Sequence, residues 1–307
     1  MSRGNTFVLV NPAAGRGRRR ARVREYLELL RRHLGAVEPA LTARPGDEAR
    51  LVENALAGGA ECIVAVGGDG TWSAAADRIL AAGRREVALG LLPTGTGNDF
   101  GKSIGVRHER AEEVVRAIVE RRTLLVDAGK VGGRHFLNVV GLGFDIAVID
   151  DAEHTPLLRG DLLYRFCAVR QLFRFPGIGV GVASGDAPPR PMRLLMLTVS
   201  NASYFGGSFH IAPRASLSDG KLDLVAIADA GPIMRAKLFS TVSKGRHEGV
   251  AQVTIEQAPR FAIHFAGTMR YEADGEVFSA TSPLVIENVP SALHVCSPDA
   301  PAPELRP

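Results

Sequence analysis

Residues 62–71 read CIVAVGGDGT, an apolar run that gives way to four small or flexible residues and one carboxylate. The apolar part is typical of a strand buried on both faces, and a helical pattern follows Thr71 to about Ala82. A glycine loop between such a strand and a helix lets backbone N–H groups surround a phosphate at the helix N-terminus. Asp69 within the loop indicates a metal ion, or a water bound to one, next to that phosphate. A plain tight turn is the structural alternative.

Strand and helix patterns alternate on both sides of this stretch. A short apolar run at 7–10 precedes helical spacing over 23–34, and residues 49–56 form a second helical pattern. Residues 87–92 repeat the buried-strand pattern and lead into another glycine loop, PTGTGND, at 93–99. This alternation predicts a parallel sheet covered by helices. The polar loops then lie at the carboxyl ends of the strands, where open α/β sheets bind ligands.

The PTGTGND loop offers further candidate ligand contacts. Thr94 and Thr96 carry hydroxyl groups, and two phosphate-type loops at neighbouring strand ends fit a mononucleotide better than a dinucleotide. For Asn98 and Asp99, capping of the following helix is an equally good explanation.

An arginine-rich segment follows the first strand. The turn NPAAG at 11–15 can be held by the Asn11 side chain and by the fixed geometry of proline, and six arginines lie within Arg16–Arg24. Cations at a helix N-terminus oppose the helix dipole. The cluster therefore indicates an anionic partner, either a nucleotide phosphate or a membrane lipid, with a solvated basic helix start as the alternative.

From about residue 124 short strands replace this alternation. Eight strand-like runs cover residues 124–131, 135–140, 178–183, 194–200, 222–228, 253–256, 261–265 and 268–273. Several follow one another without a helix between them, which predicts an antiparallel sandwich or barrel. Helical patterns at 157–173 and 233–244 interrupt them, and the proline-rich tail from Ser297 is expected to be disordered.

Carboxylates in the second half each have two explanations. Asp127 interrupts an apolar strand, where a charge is costly unless it is paired or bound to a metal. The segment LSDGKL at 217–222 is either an Asp-Gly hairpin turn or a cation loop formed by Asp219 and backbone carbonyls. For GLGFD at 141–145 a turn near a helix cap competes with a functional loop. For residues 274–276 a hairpin turn is the simpler interpretation.

Composition excludes several classes of protein. The 307 residues are 46% apolar and 23% charged, a globular balance, and the net charge of 37 − 33 = +4 suits an anionic substrate but is too small for a nucleic-acid arm. Three cysteines without CxxC spacing exclude a disulfide framework and a zinc ribbon. No apolar run reaches the roughly 18 residues of a membrane span, so a cytoplasmic location is expected.

Seven motifs, in order, resemble the diacylglycerol kinase catalytic domain family in its soluble bacterial form, with sphingosine and ceramide kinases as relatives. The matching segments are NPAAGRG, GGDGT, PTGTGNDF, VDAG, FLNVVGLGFD, SNASYFGGSFHIAPRASLSDGKLDL and YEADGE, which span roughly residues 7–276. The resemblance implies an ATP-binding α/β domain with a Rossmann-like parallel sheet, residues 1–126 and 288–307. It implies a C-terminal antiparallel β-sandwich domain, residues 127–287, that completes the substrate cleft.

The resemblance also assigns roles to residues at matching motif positions. Nucleotide contacts are implied for Asn11, Thr42, Gly67, Gly68, Asp69, Gly70, Thr71, Trp72, Ser73 and Thr96. Asp69 and Asp127 would belong to the network around the catalytic Mg²⁺. Glu276 would be the general base that takes the proton from the lipid hydroxyl, with Asp274 beside it.

A second, structural Mg²⁺ site is implied at the SDGK segment. The Asp219 side chain and the carbonyl oxygens of Ser216 and Lys221 would form it. One departure from the family lies at Trp72–Ala75, where relatives usually carry a residue pair like Asn-Glu, so a polar contact at that helix start is lost.

The expected function is therefore an ATP- and Mg²⁺-dependent lipid kinase, with diacylglycerol, giving phosphatidic acid, as the default substrate. Transient contact with the inner face of the membrane is expected through Arg16–Arg24 and the apolar positions of Leu157–Phe175, for most of which core packing is the alternative. Relatives imply a homodimer, and no nucleic-acid partner is expected. Two hypotheses compete: a kinase of a soluble acceptor such as NAD, and a catalytically silent nucleotide-binding regulator, supported by Trp72–Ala75.

Overall fold

In the computed structural model the chain forms two halves that share one continuous hydrogen-bonded sheet. The structure describes residues 5–14, 19–95, 97–155, 161–207, 209–242 and 244–301. Thr96, residues 16–18 of the arginine-rich segment and residues 157–160 of the predicted helix therefore lie outside the described residues.

The first half alternates strands and helices, as the apolar pattern predicts. Its elements are β1 (Thr6–Val10), α1 (Arg19–Leu34), β2 (Ala40–Leu41), α2 (Asp47–Ala57), β3 (Cys62–Gly67), α3 (Asp69–Ala81), β4 (Ala88–Pro93), α4 (Asp99–Ser103), a 3₁₀ turn (His108–Arg110) and α5 (Ala111–Val119). The four strands pair in parallel in the order β2-β1-β3-β4. β3 and β4 are buried along their whole length, as expected of strands inside a parallel sheet.

Trp72 anchors α3 on the sheet. Its side chain is fully buried, and its Nε1 donates a hydrogen bond to the carbonyl oxygen of Ala65 in β3 at 3.1 Å. Ala75 and Ile79 follow at helical spacing and are also fully buried, so one face of α3 packs against the core. Burial of a large apolar side chain contributes about 3 kcal/mol, which fixes the start of α3 and the loop before it.

The second half consists mainly of antiparallel strands. Its elements are β5 (Thr123–Val131), β6 (Arg134–Phe136), β7 (Val139–Gly143), α6 (Phe144–Glu153), α7 (Asp161–Arg174), β8 (Ile178–Ser184), β9 (Arg190–Ser200), β10 (Leu222–Ala228), α8 (Pro232–Val242), β11 (Val253–Ala258), β12 (Arg260–His264), β13 (Thr268–Ala273), β14 (Glu276–Thr281) and β15 (Leu284–Cys296). β9 pairs with β8 through residues 190–194 and with β7 through residues 196–200. β9 therefore connects β8 and β7, which pair with different lengths of it, within one sheet.

The last strand joins the halves. β15 pairs with β12 of the second half, with β5 along most of its length, and in parallel with β4 through His294 and Val295. Each half has its own core, and a third apolar cluster packs α8 on the far face of β9 and β10 through Val225, Ile227 and Leu238. No described helix is long and apolar enough to cross a membrane.

Two predictions for the second half are wrong in detail. The single strand predicted at 135–140 is split at Leu137 and Asn138, because their N–H groups bond to the Asp274 carboxylate instead of a neighbouring strand. The tail is ordered at its start: Ser297 is fully buried, and its hydroxyl donates to the carbonyl oxygen of Ile104 at 2.8 Å.

Candidate active site

Two glycine loops meet at the carboxyl ends of β3 and β4. The carbonyl oxygen of Gly67 accepts hydrogen bonds from the N–H groups of Thr94 and Gly95 at 2.7 and 3.2 Å. A Cβ atom on Gly95 would lie 2.7 Å from the Cα of Gly68, so the two backbones touch and only glycine fits. α3 then begins at Asp69 with no side-chain cap on its first N–H groups. Uncapped N–H groups at the positive end of a helix dipole suit a phosphate.

Asn11 connects the first loop to this glycine loop. Its Oδ1 accepts hydrogen bonds from the N–H groups of Ala13 and Ala14 at 2.9 and 3.0 Å. Its Nδ2 donates to Oε1 of Glu48 at 2.9 Å and to Oγ1 of Thr71 at 3.1 Å. Because these bonds use the full capacity of a side-chain amide, Asn11 holds its own turn against the start of α3.

The other predicted nucleotide contacts differ in how open they are. Gly70 is exposed, with no atom within 4 Å of the position of a Cβ, whereas Thr42 is buried. The Trp72 indole belongs to the core and bonds to β3, so the prediction of a nucleotide contact does not hold for this side chain. Trp72 therefore serves as a core residue at the start of α3.

Asp69 faces a second carboxylate across the glycine loops. Its Oδ1 accepts the N–H group of Phe100 at 3.2 Å. A Cβ on Gly97 would lie 3.1 Å from Oδ2 of Asp69 and 3.5 Å from Oδ2 of Asp99, so both carboxylates approach the same glycine. Burial, and then the charge of Asp99, raise the pKa of Asp69 to about 6. Two neighbouring carboxylates beside a phosphate site suit a divalent cation.

Asp99 also links the two halves, a role that its local sequence does not reveal. Its carboxylate accepts hydrogen bonds from Nζ of Lys102 and from the N–H group of Gly207, both at 2.7 Å. Asn98 precedes α4 without a side-chain capping bond, and its amide donates to the carbonyl oxygen of Gly95 at 2.8 Å. The capping interpretation of this pair is therefore wrong. The only sequence feature that pointed to a functional role for Asp99 was its position at the end of the second glycine loop.

Asp274 organises the segment between β6 and β7. Its Oδ2 accepts the N–H group of Leu137 at 2.7 Å, and its Oδ1 accepts those of Asn138 and Val139 at 2.9 and 3.0 Å. Burial raises the pKa of Asp274, while these bonds and a further one from the Ser73 side chain favour the carboxylate. Asp274 thus connects the start of α3 to the second half and positions the turn that leads to Glu276.

Glu276 lies at the start of β14, on the rim of the cleft between the halves. Its side chain is 56% exposed, and its Oε2 lies 3.2 Å from Nη2 of Arg134. Gly70, Ser73 and Asp274 line the same cleft. The structure therefore brings Glu276 to the glycine loop before α3 and pairs it with Arg134, which belongs to none of the motifs.

A second contact between the halves lies in this cleft. Oδ1 of Asp77 on α3 accepts hydrogen bonds from the backbone N–H group of His135 at 2.8 Å and from its ring at 3.1 Å. Burial opposes the charged form, but hydrogen bonds from His135 and Arg78 hold the pKa of Asp77 below its usual range. The Asp77 carboxylate therefore has a structural role: it joins α3 to β6.

Asp127 hydrogen-bonds to the SDGK loop, and its membership of the network around the catalytic Mg²⁺ stays a prediction. Its Oδ1 accepts the N–H group of Ser291 and its Oδ2 accepts that of Gly220, both at 2.8 Å. The Asp127 backbone N–H group donates to the carbonyl oxygen of Leu217 at 2.6 Å. Asp127 therefore shapes the loop that was predicted to hold a structural cation.

The donor atoms of this loop fit a hard divalent cation. Asp219 is exposed, and its Oδ1 accepts the N–H group of Lys221 at 3.1 Å. Nδ2 of Asn288 donates to the carbonyl oxygen of Lys221 at 3.2 Å, while its Oδ1 is buried without a partner. Carboxylate and carbonyl oxygens are the ligands that Mg²⁺ and Ca²⁺ prefer. No cluster of three His, Cys, Asp or Glu side chains in the described chain could hold a metal, so carbonyl oxygens such as that of Ser216 would be required.

Comparisons with known proteins agree with this architecture. Residues 5–131 match the diacylglycerol kinase catalytic domain, and residues 138–297 match the YegS C-terminal NAD kinase beta sandwich-like domain. The chain is 27% identical to a protein named diacylglycerol kinase from Mycobacterium tuberculosis, over 96% of each chain. It is 31% identical to a protein named "Probable lipid kinase YegS-like" from Pseudomonas aeruginosa, over 84% of this chain and 83% of the relative.

A solved structure shows the same fold. The crystal structure of a diacylglycerol kinase from Bacillus anthracis superposes with a TM-score of 0.72 at 20% identity, over 97% of this chain and 98% of that one. The predicted combination of an α/β half with a parallel sheet and an antiparallel β-sandwich half is confirmed.

Proposed function

The chain belongs to the diacylglycerol kinase catalytic domain family, and from this membership and the geometry of its cleft we propose that it transfers the γ-phosphate of ATP to a hydroxyl group of a lipid. The observation that carries the proposal is the junction at Asp69. There an uncapped helix N-terminus, two touching glycine loops and two neighbouring carboxylates lie together. Phosphoryl transfer needs such positioning and charge neutralisation, with little covalent work by the protein.

In the half that would bind ATP, different groups would contact the phosphates and the metal ions. The N–H groups at the start of α3 would hold phosphate oxygens, with Gly70 leaving the approach open. Asp69 and Asp99 fit a Mg²⁺ ion that arrives with ATP, and such an ion neutralises the phosphate charge when bound. The Asp219 loop would hold the second, structural Mg²⁺, and Asp127 keeps that loop in shape.

On the acceptor side we assign the proton-accepting carboxylate to Glu276. A general base must reach the hydroxyl that loses its proton, and Glu276 is exposed in the cleft beside Gly70 and Ser73. Arg134 holds its carboxylate at the rim, and Asp274 fixes the preceding turn. Asp274 is thus a positioning residue, because both of its oxygen atoms are bonded to backbone N–H groups.

Membrane contact is proposed through one face of α7. Phe166, Val169 and Phe173 recur at helical spacing and are 46, 57 and 69% exposed, and Ile233 at the start of α8 is 90% exposed. Arg174, near this stripe, is exposed as well. An apolar stripe beside a cation suits the headgroup region of an anionic bilayer.

Transfer of labelled γ-phosphate from ATP to a panel of lipids in mixed micelles with Mg²⁺ tests the proposal, with NAD and sugar phosphates as soluble acceptors. Label in a lipid that is lost in Glu276→Gln supports both the activity and the base. Glu287→Gln is the matched control, because Glu287 is also a half-exposed carboxylate paired with an arginine, at 3.1 Å from Arg260. Label only in a soluble acceptor contradicts the lipid assignment. ATP binding without label in any acceptor favours a regulator.

A further inference from the structure

A cavity of about 650 Å³ opens at the edge of the second-half sheet. It lies beside β14, which pairs with β13 alone among the described strands, so the other edge of β14 has no strand next to it there. The remaining walls come from the start of β15 and from the turn between β5 and β6. A volume of this size is typical of cavities that enclose most of a small ligand.

The walls of this cavity next to the core are apolar. Phe278 and Ala280 of β14 pair with Tyr271 and Met269 of β13 and pack against the core of the second half. The Tyr271 and Phe278 rings lie 5.6 Å apart, and Leu284 of β15 lines the same cavity. Tyr271 and Leu284 are buried, whereas Phe278 and Ala280 are only half-buried. Apolar surface of an edge strand therefore stays in contact with water, and a ligand that covers this surface would gain affinity.

Hydroxyl groups line the mouth of the cavity. Thr268, Ser279 and Thr281 are exposed, and Thr268 pairs with Thr281 at the end of the hairpin farthest from its turn. Within the described chain, Arg134 is the only charged residue that lines the cavity, and it is paired with Glu276. A neutral mouth and an apolar interior suit an uncharged alkyl chain better than an ion.

Arg134 and Phe278 join this cavity to the candidate active site. Both residues line the cavity and also the cleft that contains Gly70, Ser73 and Glu276. The guanidinium group of Arg134 lies 4.4 Å from the centre of the Phe278 ring, and its Nη2 lies 3.2 Å from Oε2 of Glu276. One side chain therefore contacts both the apolar wall of the cavity and the carboxylate in the cleft, so the two spaces are direct neighbours.

The length of β14 matches the shape of a lipid that reacts in the cleft. Glu276 and Thr281 are the first and last residues of the strand, and steps of about 3.4 Å per residue separate them by roughly 17 Å. A lipid whose hydroxyl group lies at Glu276 carries its acyl chains only a few bonds away from that hydroxyl group. The cavity therefore begins where an acyl chain would begin, and it extends along the strand to the mouth at Thr281.

We propose that this cavity binds one acyl chain of the acceptor lipid while the free hydroxyl group of its glycerol lies at Glu276. The inference rests on the proposed kinase function and adds a binding site for its substrate, whose class is an uncharged acylglycerol. Each methylene group that moves from water into the cavity raises the affinity about fourfold. Affinity should therefore rise with chain length until the chain reaches Thr281.

Binding of 1-acyl-2-acetylglycerols below their critical micelle concentrations, measured by calorimetry without ATP, tests the cavity separately from catalysis. For acyl chains of four, six and eight carbons, the Kd of the wild-type chain is expected to fall about fourfold per added methylene group. Ala280→Phe fills the cavity and should raise the Kd of the eight-carbon lipid at least tenfold, and Thr281→Trp at the exposed mouth should raise it several-fold. Both should leave the Kd for ATP within twofold. Ala187→Phe, in the exposed turn between β8 and β9, is the control and should change neither constant.

A photoreactive diazirine at the end of the eight-carbon chain locates the chain in the wild-type protein. Cross-links are expected within residues 268–271 and 278–285. Cross-links to α7 instead, whose exposed apolar face is the proposed membrane contact, overturn the inference. So does a Kd that is independent of chain length, or one that is unchanged in variants with the thermal unfolding of wild type. Loss of a dimer in light scattering of Ala280→Phe, with lipid binding unchanged, would assign the cavity to a second copy of the chain and also overturn the inference.

The two proposals fail in different ways. Binding that depends on chain length and is weakened by Ala280→Phe, without phosphate transfer to any lipid, would contradict the kinase function and leave the chain-binding site standing. Transfer to lipids with the same KM in wild type, Ala280→Phe and Thr281→Trp would confirm the kinase and reject the site.

Discussion

Replacement of Asp274 by asparagine tests whether this carboxylate stabilises the fold and positions the turn beside the cleft. The native side chain accepts three backbone hydrogen bonds, two on Oδ1 and one on Oδ2. An asparagine oxygen can keep the pair from Asn138 and Val139, but its NH₂ group then opposes the N–H group of Leu137. One charge-assisted bond is lost, at about 2 kcal/mol, and two become neutral, at about 1 kcal/mol each.

Relief of the buried charge offsets part of this loss, because burial raises the pKa of Asp274. We therefore expect Asp274→Asn to lower the free energy of unfolding by about 2–3 kcal/mol. For a chain of 307 residues that corresponds to a Tm lower by about 3–5 °C. Since the turn before Glu276 would shift, kcat is expected to fall by at least tenfold, with the Kd for ATP nearly unchanged.

Urea denaturation followed by tryptophan fluorescence, together with lipid kinase assays, measures both effects. Asp186→Asn is the control, because Asp186 is an exposed aspartate in the turn between β8 and β9, and it should stay within about 0.5 kcal/mol of wild type. An Asp274→Asn variant with wild-type stability would refute the argument, since the three backbone bonds would then carry no net free energy.

Three further predictions concern Gly141, the pKa of Asp145 and the exposed apolar face of α7. Gly141→Ala should destabilise the chain by about 1–3 kcal/mol through overlap with Asp145, whereas Gly179→Ala, with no atom within 4 Å of its Cβ, should be neutral in the same urea titration. Because burial raises the pKa of Asp145 to about 7, the folded chain keeps a proton there that the unfolded chain loses, so this group's contribution to stability should fall by up to about 1.4 kcal/mol per pH unit as the pH rises towards 7. The decline across pH 4–7 should be shallower in Asp145→Asn, while Glu272, Asp69 and Asp223, whose pKa values are also raised, keep their own contributions. Phe173→Ser should weaken sedimentation with anionic vesicles severalfold, and Leu125→Ser, also at an exposed apolar residue, should not.

Local patterns were enough to predict most strands and helices of the first half and its two glycine loops, but not β2 or α5. The buried strand at 62–67 and the glycines after it carry their information within ten residues, and the structure places them as the periodicity indicated. The short strands after residue 124 were likewise predicted from their local sequence patterns. These features depend on side-chain period and turn chemistry, which a single sequence displays.

Contacts between distant segments could not be predicted in this way. Asp99 bonds to Gly207, 108 positions away, and its local sequence suits a helix cap equally well. Asp145 and Glu272 come together only because β7 and β13 pair in one register, with glycine at the point of contact. The sequence shows where a carboxylate lies along the chain, but its hydrogen-bond or ion-pair partner depends on strand order and register, which one sequence does not display.

Asp127 shows how such a long-range contact changes the interpretation of a buried charge. A carboxylate in an apolar strand indicated a group that is either paired or bound to a metal, and the oxygens of Asp127 are paired with the N–H groups of Gly220 and Ser291. Ser291 has a positive φ of 45° and lies where the β5–β15 register shifts between Val289 and Leu293. This shift is where both strands pass from one half to the other, so ladder bonds are missing and N–H groups need another acceptor. Asp127 therefore supplies the acceptors that the crossing needs, and the same side chain holds the loop that presents Asp219 against β5.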